Sequence, residues 1–199
     1  MSEGVREDLL KATGMPADRI TAIKNPVTTA EMIREAQTPV DHPWLSENFD
    51  EPVLITVGRL TKNKDHRTLL EAFRLINDRP PSRLLILGEG PERASLEKII
   101  AQMGLTDRVQ LPGFVDTPWA WMAKSSLFVL SSCSEGSGNV LTEAMPVGTP
   151  VVSTDCPSGP SEMLDGGRIA TLVPVGDAEA LAAACIDVLD SGIASSLLD

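Results

Sequence analysis

The sequence predicts an α/β fold: a Rossmann-like, doubly wound domain built on a six-stranded parallel sheet. Three observations predict it. Short apolar runs recur from Val53 onward, at Val53–Val57, Leu84–Leu87, Val109–Leu111, Leu127–Leu130, Val151–Ser153 and Thr171–Val173. Helical patterns lie between most of them. The runs are continuously apolar rather than alternating, as strands buried on both faces are. Strand and helix in alternation make a parallel sheet covered on both sides. Ligands of such sheets bind beyond the carboxyl ends of the strands, so the loop after each strand carries the functional reading.

The first 50 residues differ in texture. Glu7 to Ala12 predict a short helix ending near Gly14, and Arg19 to Ile23 a short strand that Asn25-Pro26 ends. Glu31 to Ala36 predict a further helical turn. Thr38 to Asp50 carries Pro39 and Pro43 without periodicity and reads as a linker or packed loop. Beyond it, Leu69, Leu70, Phe73 and Ile76 fall at helical spacing, as do Leu96, Ile99, Ile100 and Met103. Gly90-Pro91 and Thr117-Pro118 predict helix starts. Asp177 is placed to cap a last helix through Leu181, Cys185 and Leu189.

The 199 residues suffice for one domain and a short appendage. A net charge of −11 argues against a general nucleic-acid binder and gives no bulk attraction to anionic membranes. Cys133, Cys156 and Cys185 are widely spaced, and His42 and His66 are the only histidines, so no zinc-site spacing exists. The three thiols fit a reducing cytoplasm and read as packing residues. The opening MSEGVREDLL has no apolar signal core, and no stretch has the length of a membrane span. The expected location is the cytoplasm, with any membrane association peripheral and at the inner face.

The loop after the first strand, Gly58 to Arg67, carries Arg59, Lys62, Lys64 and Arg67. In an acidic chain this points to an anionic ligand. Arg59 offers a planar fork for phosphate oxygens and Lys64 a mobile point charge. A solvated first helical turn explains the same residues. The next loop, GEGPER from Gly88, has two glycines of a dinucleotide fingerprint but Arg93 where the third belongs, which disfavours NAD. Its glycines are read as serving a tight turn and close backbone approach to a ligand. Pro112-Gly113 predicts a turn, and Phe114 either walls a base or joins the core. Trp119 and Trp121 read as packing residues.

The segment from Ser134 to Leu164 says most. Glu135 and Glu143 stand eight residues apart across Gly136-Ser137-Gly138. The glycines let backbone approach a diphosphate, and the helix start offers free N–H groups to an anion. Asn139 and Glu143 share a helical face, while Leu141 and Ala144 point to the core. Carboxylates accept hydrogen bonds from sugar hydroxyls, so the loop combines what a nucleotide-sugar site needs. Glu143 alone also reads as a glutamate favoured by the helix dipole. Ser158-Gly159-Pro160 predicts another helix start, and Glu162 reads as a surface residue.

GRLTKNKD, ILGEGPER, LPGF and SEGSGNVLTEAMPVGTPVVSTDCPSGP, in this order, resemble the carboxyl-terminal half of family-four retaining glycosyltransferases with the GT-B fold. The resemblance spans roughly Val53 to Leu189, and the spacing of Glu135 and Glu143 is its most specific element. It implies one half of a GT-B fold that binds a UDP-sugar. Arg59 and Lys64 would hold the diphosphate, and Glu135 would face the donor sugar. Glu143 would take the ribose hydroxyls. Gly138, Asn139 and Val140 would meet phosphates and sugar by their backbone, and Gly58, Gly113 and Phe114 would line the region of the diphosphate and base. The resemblance implies no metal and no cofactor beyond the donor. It also makes residues 1–50 a remnant of a preceding domain with its linker, and residues 51–199 the donor-binding domain.

Ser137 stands where the family often has a bulky apolar residue, and Pro146 where a small one is usual. An amino-terminal acceptor domain or subunit is the expected partner, with a glycan or lipid-linked acceptor. Alone, the chain is expected to bind nucleotide, to transfer sugar weakly or not at all, and to self-associate through its uncovered cleft. Competing classes are a UDP-sugar epimerase, a non-catalytic nucleotide-sugar-binding module, one subunit of a two-chain transferase, and a nicotinamide oxidoreductase.

Overall fold

The computed structural model describes residues 2–23, 25–76 and 81–192. The last residues of the expected domain, 193–199, lie outside the described residues. Six strands form one sheet: β1 (Val53–Val57), β2 (Arg83–Leu87), β3 (Val109–Gly113), β4 (Leu127–Leu130), β5 (Val151–Thr154) and β6 (Thr171–Val173). Their order is β3-β2-β1-β4-β5-β6, and every pairing is parallel. The chain reverses its direction of travel across the sheet between β1 and β4. In a doubly wound sheet this switch point opens a crevice above the strand ends.

Alternate residues of each strand feed two cores. Leu54, Leu84, Ile86, Leu127, Val129 and Val152 pack with helices on one face, chiefly α3 (His66–Ile76), α4 (Arg93–Gln102) and α8 (Ala178–Asp190). Val53, Ile55, Leu85, Leu87, Phe128, Leu130 and Val151 pack on the other, under α5 (Pro118–Ala123), α6 (Asn139–Ala144) and α7 (Pro160–Met163). Leu69, Leu70, Phe73 and Ile76 are all buried, so the period read from the sequence is the core stripe of α3. Asp65 adopts φ 45° and caps that helix, its carboxylate accepting from the Thr68 N–H and hydroxyl. Asp177 caps α8 in the same way through the Ala180 N–H, as expected.

Two short helices precede the sheet, α1 (Glu3–Thr13) and α2 (Ala30–Glu35). No strand forms at Arg19 to Ile23. Residues 17–19 make a 3-10 turn, and the Ile20 carbonyl is taken by Arg6 Nε at 2.6 Å instead of a neighbouring strand. Residues 43–51 pack closely: Leu45 is buried, and Arg83 lies over the rings of Trp44 and Phe49 at 5.1 and 5.7 Å. Glu51 Oε2 bridges Arg83 and Arg108, each at 2.6 Å.

Candidate active site at the switch point

The loops after β1 and β4 meet where the sheet order reverses. Their backbones are stitched together: the Cys133 N–H donates to the Asn63 carbonyl at 2.8 Å, and Ser131 Oγ to the Lys64 carbonyl at 2.9 Å. Across this seam Lys64 Nζ reaches Glu135 Oε1 at 2.5 Å. The pair is largely enclosed, with side-chain exposures of 19% and 10%. Ser132 Oγ donates to the same Oε1 at 2.6 Å. Two residues singled out from sequence 71 positions apart thus share one contact.

Arg59, Gly58 and Phe114 line one cleft of about 310 Å3, with Glu89, Val115 and Pro118. Gly58 also lies against the Lys64 stem, since a Cβ there would meet Lys64 Cε at 3.3 Å. The cleft therefore adjoins the Lys64–Glu135 pair. Phe114 is 75% exposed, which rules out the core role and leaves an apolar wall facing solvent. Gly113 is buried beneath the Glu89–Arg93 ion pair, and its carbonyl accepts from the Gly88 N–H at 2.7 Å. It therefore shapes the loop under the cleft.

Gly88 and Gly90 are needed for a close approach between loops. A Cβ on Gly88, at φ 129°, would lie 2.0 Å from the Gly58 carbonyl oxygen; one on Gly90 would lie 2.4 Å from that of Leu60. They pack loop on loop, and Gly88 also lines the cleft of Arg59 and Phe114. Gly138 has φ 67° and begins α6, where a side chain would be strained. No side chain caps this helix, and Asn139 Oδ1 instead accepts from Ser137 Oγ at 2.7 Å. Val140 is half-buried against the second core. With only six residues, α6 has a short dipole, so positive charge at this edge comes mainly from Arg59 and Lys64.

Glu143 sits past the first turn of α6, so the dipole explanation for it does not apply. It is half-buried, and loss of hydration pushes its carboxyl above the ordinary range. It lines a cleft of about 500 Å3 with Val27, Thr29, Glu35, Asp116 and Trp119. Trp119 Nε1 is buried there without a hydrogen-bond partner among the described residues. The sequence offered Trp119 only as a packing residue beside Trp121, with nothing to mark it as lining this cleft. Glu162, read as a surface residue, holds α1: its oxygens accept from the Glu3 and Gly4 N–H groups at 3.0 Å each. Ser2 Oγ donates to the Gly136 carbonyl at 2.9 Å, so α1 is fastened to the rim of the glycine loop.

The cysteines divide. Cys156 and Cys185 are buried, and burial pushes the Cys156 thiol up to about 11. Cys133 is exposed at the site rim, its thiol donating to the Asn63 carbonyl, so it is not a packing residue. Among the described residues no cluster of three or more His, Cys, Asp or Glu side chains has the arrangement of a metal site.

A profile of the glycosyl transferases group 1 matches residues 51–191. The chain belongs to this family. The lipopolysaccharide core biosynthesis glycosyltransferase LpsE of Rhizobium meliloti is 37% identical over 145 residues, covering 73% of this chain and 42% of LpsE. An N-acetylgalactosamine-N,N'-diacetylbacillosaminyl-diphospho-undecaprenol 4-alpha-N-acetylgalactosaminyltransferase of Campylobacter jejuni is 32% identical over 175 residues, 87% of this chain and 45% of its own. The chain thus spans less than half the length of these group 1 relatives. Among solved structures, Anabaena HepE in complex with UDP superposes with a TM-score of 0.79 at 23% identity, covering 98% of this chain and 56% of HepE. A point mutant of S. aureus TarM, in complex with fondaparinux, alpha-GlcNAc-glycerol and UDP, superposes with a TM-score of 0.81 at 23% identity, covering 99% of this chain and 38% of TarM. The fold of this group 1 chain is one half of a GT-B glycosyltransferase. No helix among its described residues is long and apolar enough to cross a membrane.

Proposed function

We propose that this chain is the donor-binding half of a retaining hexosyltransferase that moves a sugar from a UDP-sugar to a glycan or lipid-linked acceptor. The observation that carries the reading is the Lys64–Glu135 contact at the switch point, beside a cleft walled by Arg59 and Phe114. An ammonium and a carboxylate meet beside a cleft lined by Arg59, where a diphosphate and its sugar would lie. Arg59 and Lys64 neutralise the charge that develops on the diphosphate as the glycosidic bond breaks, the term that most lowers such a barrier. Glu135 accepts from sugar hydroxyls, and Glu143 from the ribose. UDP as the carrier is supported by HepE and TarM, both solved with UDP. Glycan and lipid-linked acceptors are supported by the relatives' activities, with the acceptor site expected in the half of those proteins that this chain does not span.

Calorimetric titration with UDP, GDP, ADP and NAD, repeated on Arg59→Ala and Glu143→Ala, tests this. Preferential binding of UDP that weakens about tenfold or more in each variant is expected, the loss that goes with one charged contact. Preference for NAD, or no binding of any of the four, would overturn it.

A further inference from the structure

Lys64 has two claims on it. In the structure its ammonium is committed to Glu135, yet the function proposed above, on which this inference rests, also assigns it to the diphosphate. A diphosphate carries more negative charge than a carboxylate, so it draws the ammonium away as it binds. The backbone of Lys64 does not follow, because Ser131 Oγ holds its carbonyl at 2.9 Å. The side chain alone moves. Glu135 is then a mostly enclosed carboxylate without its cation, and such a group needs other hydrogen bonds to stay charged and in place.

Ser132 is built to supply one. It is fully buried, and its hydroxyl donates to Glu135 Oε1 at 2.6 Å. Its carbonyl accepts from Thr154 Oγ1 at 2.6 Å, and Thr154 is itself fully buried at the end of β5. Among the described residues both donors to Glu135, Lys64 and Ser132, converge on Oε1. Oε2 therefore stays available to a sugar hydroxyl. We propose that Ser132 is a positioning residue that holds Glu135 by Oε1 when a bound diphosphate takes Lys64, keeping Oε2 aimed at the donor sugar. Ser132 touches no ligand in this scheme and acts through the carboxylate. The contacts come from two adjacent strand ends, so they are set by the sheet and not by the mobile side chain of the lysine.

The scheme separates two quantities that a general loss of structure would move together: affinity for UDP, and the extra affinity that a sugar adds. Calorimetry with UDP and UDP-glucose on the wild-type chain, Glu135→Gln and Ser132→Ala measures both. Glu135→Gln removes the charge that competes for Lys64, so UDP alone is expected to bind several-fold tighter while the sugar's contribution falls. Ser132→Ala is expected to lower the UDP-glucose to UDP affinity ratio about tenfold, the effect of losing one charge-assisted hydrogen bond. Thermal melting of both variants reports whether the fold is kept. A Ser132→Ala ratio equal to wild type, or weaker UDP binding by Glu135→Gln, overturns the positioning role and leaves the donor-domain reading standing. Absence of UDP binding by the wild-type chain overturns the donor-domain reading, and the positioning role with it.

Discussion

At the residue scale, two titrating side chains lead to opposite pH responses. The His66 imidazole is buried beside Lys64, and both effects depress it from 6.5 to about 4. The folded state then keeps His66 neutral where the unfolded chain takes a proton. The contribution is whole above pH 6.5 and is lost as pH falls toward 4. The shift corresponds to roughly 3 kcal/mol. Urea midpoints measured across that window should fall with acidification, and His66→Gln should flatten the fall. Glu143 behaves the other way. Burial raises its carboxyl above the ordinary 4.5, so the folded state favours the proton and its charge disfavours folding once pH exceeds that value. Glu143→Gln should therefore melt higher than wild type at pH 7, with the gain vanishing as pH drops below 4.5, while losing nucleotide affinity. A carboxylate held against the stability of its fold is the pattern expected of a binding group. Glu143 was legible as a candidate from its spacing to Glu135. Its burial was not, because the cleft around it includes Val27 and Thr29 from more than a hundred positions upstream.

At the element scale, the loops after β1 and β2 pack directly against one another. Gly88 lies against the carbonyl of Gly58, so Gly88→Ala brings both a steric clash and a strained φ. It is expected to cost more than about 2 kcal/mol in denaturant titration, and to disturb the Arg59 cleft with it. The glycines were legible in the sequence, but their partner was not, since it comes from the preceding strand's loop. Helix α1 illustrates the reverse case. Its existence and its Gly14 end were legible, and Gly14 does take the left-handed conformation that stops it. Its attachment was not. Within the helix itself no residue is buried, and the Glu162 carboxylate grips its first two N–H groups. Glu162→Ala should raise hydrogen exchange at Glu3 and Gly4 about fivefold, as loss of about 1 kcal/mol of capping does. Unchanged exchange would mean that Ser2 alone fixes the helix.

At the scale of the whole molecule, the two segments before the sheet differ in what they contribute. Removing residues 1–26 takes away α1, none of whose own residues is buried, and should change unfolding free energy by less than about 1 kcal/mol. Removing residues 1–50 strips Leu45, Trp44 and Phe49 from the second core and the ring contacts from Arg83. That loss should be about 3–5 kcal/mol, measured by denaturant titration of the two truncated chains. Residues 38–50 carry no periodicity, so their packing could not be read from sequence. Their apolar side chains, Val40, Trp44, Leu45 and Phe49, pack on the second core without a helical or strand repeat.

Local pattern alone determined the six parallel strands, the helices between them and the clustering of chemistry in the loops after β1 and β4. Apolar runs and caps are properties of neighbouring residues, and a parallel, doubly wound sheet follows from their alternation, though not its strand order. Only the tertiary structure decided that Lys64 is held by Glu135, that Ser132 shares that carboxylate, that Phe114 faces solvent and that Glu162 fastens α1. These contacts join chain segments brought together by strand order, and no local periodicity encodes which loop will lie beside which.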